Sequence, residues 1–143
     1  MIIRVATLCD FAQVRERLLS VISAGVTRVW RSQYPAPLGI MLALICEIDP
    51  GSASIPREIR IRAENADGGR LAEAACAFQL DPGPGHDPGE MLTFPFVVDF
   101  RNLQLPAAGR YQIVIDPMSE GVEPTALSFR AGSPSDAGGP HQR

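Results

Sequence analysis

The stretch LGIMLALICEI, Leu38 to Ile48, carries one charge, at Glu47, and is apolar at nearly every other position. Its reading decides the fold. As a helix rising about 1.5 Å per residue it spans only ~16 Å, roughly half the hydrocarbon core of a bilayer, so a membrane anchor is excluded on length. As a strand rising about 3.3 Å per residue it spans ~36 Å, long enough to call for a bend or bulge. Ile40, Leu42, Leu44, Cys46 and Ile48 then share one face, and Met41, Ala43 and Ile45 share the other. The first set suits an interior. The second needs cover, because a row of apolar side chains is unfavourable in water. That cover comes either from the same chain, for instance segment 10–16, or from a subunit or partner. Met41, Ala43 and Ile45 are therefore candidate interface residues.

Outward from this stretch, period-two alternation dominates. Ile59, Ile61 and Ala63 share a face, as do Ala72, Ala74, Cys76, Phe78 and Leu80. Leu92, Phe94, Phe96, Val98 and Phe100 form another such set, then Tyr111, Ile113 and Ile115, then Leu127, Phe129 and Ala131. Strands with one apolar face belong to antiparallel sheets that cover a core. Pro- and Gly-rich turns separate them, including an Asp67-Gly68 hairpin signal. Pro95 cannot donate to a ladder, which predicts an edge strand or a bulge there. The N-terminal part has two readings. Asp10 and Gln13 form a capping box for a helix carrying Phe11, Val14, Leu18 and Val21. The β-rich run from Ser20 to Trp30 favours a strand over 2–9, a turn over 10–16 and a strand over 17–30.

At 143 residues, with 45% apolar and 20% charged side chains, the chain suits one soluble domain with a genuine core. A net charge of −3 argues against nonspecific nucleic-acid binding. All thirteen Lys and Arg positions are arginine. The N-terminus lacks the basic and apolar segments of a signal peptide, so a cytoplasmic location is expected. Cys9, Cys46 and Cys76 are widely spaced and read as buried free thiols. From 132 to 143 the chain has no apolar periodicity and reads as a disordered tail.

Three motifs carry a family resemblance: Asp10-Phe11-Ala12, Ile22-Ser23-Ala24-Gly25 and Pro106 with Gly109-Arg110-Tyr111. Over roughly 3–131 the chain resembles an uncharacterised bacterial β-sandwich family, a domain of unknown function. In it Gly is commoner at the position of Ser23. The resemblance implies a β-sandwich and a stranded N-terminus, and no activity. Independently, Gly109 permits a turn before Tyr111, whose hydroxyl is placed to lock a corner onto a backbone group.

Catalytic chemistry is thin. The histidines are His86, in a Pro-Gly loop, and His141, near the end. Neither adjoins a nucleophile motif, so a hydrolytic enzyme ranks last. Asp10, Asp49, Asp81 and Asp116 fall at one end if strands alternate in direction, near Asp87, Glu120 and Glu123. Calcium favours such oxygen ligands, although Arg15, Arg17 and Arg57 share that end and three of the first four aspartates, Asp49, Asp81 and Asp116, precede Pro, ordinary turn composition. Trp30, Tyr34, Arg31 and Arg101 at the other end make either an aromatic-basic recognition patch or a cap on the core. The expectation is an all-β, mainly antiparallel sandwich, immunoglobulin-like or C2-like, of seven to eight strands. These lie near 2–9, 17–30, 38–48, 57–64, 71–80, 91–100, 110–116 and 125–131. The expected role is a non-enzymatic module acting through protein–protein or self-association contacts, with no cofactor. The alternative is a small-ligand or calcium-binding sandwich using the acidic loops.

Overall fold

The computed structural model describes residues 1–136. Among them the chain forms eleven strands. These are β1 (Ile2–Arg15), β2 (Leu18–Ala24), β3 (Arg28–Trp30), β4 (Ala36–Pro37), β5 (Met41–Ile48), β6 (Arg57–Asn65), β7 (Arg70–Phe78), β8 (Leu92–Asp99), β9 (Gln104–Leu105), β10 (Gly109–Asp116) and β11 (Thr125–Gly132). One sheet has four strands in the order β2-β1-β5-β8; the other has five, in the order β3-β11-β10-β6-β7. All pairings are antiparallel except β3 with β11. β4 and β9 form a small ribbon. The fold is all-β with two packed sheets, as predicted. The short strands β3, β4 and β9 raise the count beyond seven or eight.

Alternation explains the core. Leu42, Leu44, Cys46 and Ile48 of β5 are all 0% exposed, and the first three meet Ile59 and Ile61 of β6, Ile113 and Ile115 of β10, and Phe129 of β11 in one cluster. Each such aliphatic side chain contributes about 1.5–3 kcal/mol by leaving water. The thiol of Cys46 is pushed up to about 11, first by burial and then by its neighbour Cys76, so it stays protonated at neutral pH. At the β7–β8 side the ring of Phe78 stacks on Phe94 at 4.4 Å, closing the gap between the sheets. Pro95 lies on β8, an edge strand, as its missing N–H predicts. The Tyr111 hydroxyl donates to the Ala107 carbonyl at 2.6 Å, and Gly109 precedes it at φ +151, a conformation closed to other residues.

The N-terminal expectation fails in its details. There is no helix at 10–16, and the turn begins only at Glu16, because β1 runs unbroken to Arg15. Glu16 and Arg17 form a two-residue turn with φ of 51 and 63, and Arg15 pairs with Leu18 across it. Positive φ at both central residues is the primed geometry whose twist suits a hairpin. The expected strand over 17–30 is two strands in two sheets. Ser23 at φ 55 and Gly25 at φ 85 end β2, both left-handed conformations that glycine adopts most easily. The amides of Gly25 and Val26 donate to the Leu8 carbonyl at 2.9 and 3.0 Å, and the chain then crosses to join β11 as β3.

This hairpin supplies the cover that the second face of β5 needs. β1 last pairs with β5 at Cys9 and Met41. Beyond that point the hairpin folds back over the outside of its own sheet, where Ala12, Leu19 and Val21 pack with Cys9, Met41, Ala43 and Val97. Met41 and Ala43 are consequently 6% and 0% exposed. They do not face solvent or a partner as the interface expectation required; their own chain covers them. At the other end of the chain, Gly132 completes β11 and Pro134–Asp136 form a short 3-10 turn, where a tail was expected. The rest of that expected tail, 137–143, lies outside the described residues. Among the described residues no helix is long and apolar enough to cross a membrane.

Candidate functional site

A surface cleft of about 510 Å³ lies on the outer face of the five-stranded sheet. Its placement follows from strand parity. Tyr111 and Ile113 of β10 point into the core, so Arg110 and Gln112 point out. Phe129 and Ala131 of β11 point in, so Ser128 and Arg130 point out. Val29 of β3 points in, which turns Arg28 and Trp30 outward. Register then aligns the arginines: Arg110 sits opposite Arg130, and Arg130 sits opposite Arg28. Thr27, Ala66, Gln112 and Ser128 complete the walls.

Three like charges side by side across neighbouring strands are destabilising. Elsewhere on the same sheet the outward-facing Arg60, Arg62 and Arg70 are balanced, while Arg57 of β6 donates to the Ser52 carbonyl and hydroxyl and forms no ion pair among the described residues. Arg60 lies 2.8 Å from Glu58, Arg62 lies 2.9 Å from Glu64, and Arg70 lies 2.6 Å from Glu73. Arg28, Arg110 and Arg130 are exposed and form no ion pair among the described residues. Nearby carboxylates are otherwise engaged. Glu64 is held below the usual carboxylate range by hydrogen bonds from Arg62 and Gln112. Asp136 is lowered chiefly by hydrogen bonds from the Ser133 amide and hydroxyl, with a smaller pull from Arg130.

Trp30 and Tyr34 converge beside this row on Gly132. A Cβ on Gly132 would lie 2.7 Å from the Trp30 ring, and the Tyr34 hydroxyl donates to the Gly132 carbonyl at 2.8 Å. Tyr34 also packs against the core cluster. Their expected basic companions are elsewhere. Arg31 binds the carbonyls of Trp30, Pro37 and Leu38 at 2.7, 3.0 and 2.9 Å. Arg101 pairs with Asp99 at 2.8 Å and lies 5.7 Å from the centre of the Phe11 ring. Ile45, the last interface candidate, is half-buried between Val5 and Pro95 in register.

The acidic loops do not gather. Among the described residues no three His, Cys, Asp or Glu side chains are placed to hold a metal. Asp49, Asp81 and Asp116 each accept from a backbone amide two residues on, at 2.6, 2.9 and 3.0 Å, and so serve their own turns. Asp10 lies within β1 and not in an end loop. His86 has a ring nitrogen 2.7 Å from the Glu90 carbonyl, and the shallow cleft beside it is lined by Pro and Gly residues and Asp49, with no nucleophile. Among known proteins, residues 4–131 match the model described as Family of unknown function (DUF6941). No curated protein and no solved structure matches the chain.

Proposed function

Since the chain belongs to this family of unknown function, we propose a role from its surface: a non-enzymatic interaction module that binds its ligand in the cleft across β3, β11 and β10. The observation that carries this reading is the arginine row without ion pairs in the cleft, on a sheet where the outward-facing Arg60, Arg62 and Arg70 each pair with a glutamate. Like-charge neighbours persist where an opposite charge is to be bound. The three cysteines are unpaired, which suits a reducing compartment such as the cytoplasm. Titrating isotope-labelled protein with small anionic, neutral and cationic compounds tests the reading. Anions are expected to shift amide resonances of β3, β10 and β11, and Arg110→Gln to weaken that response. Shifts confined to other strands, or none with any compound, would remove it.

A second reading keeps self-association. On the outer side of the hairpin Phe11 lies opposite Ile22, and Phe11, Leu18 and Ile22 are 38%, 69% and 60% exposed. β2 pairs only with β1, so its other edge is open. If this face pairs two copies, sedimentation shows a concentration-dependent dimer that Ile22→Lys dissociates. A monomer at every concentration excludes it.

A further inference from the structure

We infer that the cleft receives a phosphate monoester, the dianionic phosphoryl end of a small organic molecule, with Arg130 at the centre of its contacts. This inference rests on the reading of the cleft as the binding surface and names its ligand.

Charge sets the first constraint. Arg28, Arg130 and Arg110 stand on three successive strands, and neighbouring strands lie about 4.8 Å apart. Arg130 therefore has a cation on each side. A single carboxylate offsets one charge of the row. A phosphate monoester carries about −1.5 to −2 at neutral pH and offers three strong acceptor oxygens. Guanidinium forks bind such oxygens in parallel pairs, and arginines reaching in from both sides of Arg130 can engage different oxygens of one group.

Shape sets the second. A volume of about 510 Å³ suits a small molecule. Thr27 and Ser128 add hydroxyls to its walls. Trp30 stands two residues from Arg28 on the same face, with its ring across Gly132, and offers an organic group an aromatic neighbour. A polynucleotide fits poorly. It needs a basic stripe many phosphates long, whereas this row is three strands wide on a chain of net charge −3.

Calorimetry and thermal melting of the full chain test this with orthophosphate, phenyl phosphate and benzoate, at matched ionic strength. Phenyl phosphate is expected to bind most tightly, and both phosphates to raise the melting temperature where benzoate does little. Arg130→Gln is expected to weaken phosphate binding about tenfold or more, since it deletes a hydrogen-bonding charge. The same variant relieves repulsion in the empty cleft, so its own melting temperature should hold or rise, which separates lost binding from lost folding. No response to either phosphate, an equal response in Arg130→Gln, or a response to orthophosphate alone overturns the proposal. If benzoate moves the β3, β10 and β11 resonances and the phosphates do not, the phosphate assignment falls while the cleft reading stands. If no compound moves them, both fall.

Discussion

Leu44→Ala is expected to lower stability by about 3–4 kcal/mol, the upper part of the range for a fully enclosed leucine. Leu44 is 0% exposed, lies on a central strand, and pairs with Ala6 on one side and Phe96 on the other. Those neighbours are fixed in ladders, and the facing sheet presses Ile61 and Ile113 into the same cluster. Backbone held on both sides collapses little into a void, so most of the cavity remains. Urea denaturation followed by fluorescence of the one tryptophan reads the loss directly. A loss under about 1 kcal/mol would mean that β5 is not the centre of the core.

Ala43→Glu should be at least as damaging, by about 3 kcal/mol or more, and through a different layer. Ala43 is 0% exposed beneath Ala12, Leu19 and Val21 of the folded-back hairpin. A carboxylate there has no cation within the apolar seam, and an uncompensated buried charge costs several kcal/mol. Lifting the hairpin is the cheapest relief. Hydrogen exchange should therefore accelerate first at residues 10–24, while β10 and β11 keep their protection. If a second copy covered Ala43 instead, the substitution would split an oligomer and leave the monomer's stability intact. Those two results cannot be confused.

What the sequence discloses here follows from where each constraint lies. The interior face of β5, the edge position of Pro95 and the hydroxyl lock of Tyr111 each depend on a local rule: alternation, a missing N–H, a glycine just before a tyrosine. The hairpin was hidden because its turn uses Glu16 and Arg17, without the Asn-Gly or Asp-Gly that usually marks that geometry. Its exposed Phe11, Leu18 and Ile22 also blur the alternation that marks a half-buried strand. The arginine row was hidden for a stronger reason. Arg28 and Arg130 meet through a parallel pairing between segments about a hundred positions apart, and no local pattern states that register. Arg31 and Arg101 looked like recognition residues because they neighbour aromatic residues in sequence; one serves backbone carbonyls and the other an adjacent carboxylate.

The seam between β3 and β11 also sets an order of events during synthesis. The strands of the four-stranded sheet have all been synthesised once Asp99 is added, but residues 28–30 dock only on β11, Thr125–Gly132. Until the ribosome has released that strand, the free margin of β10 and the waiting segment 28–30 stay unpaired. Closure then joins residues 28–30 to residues 130–132, a long-range contact of the kind that slows folding. The arginine row therefore comes into being only after Arg130 has been made, so a chain that stops short of β11 has no cleft to fill.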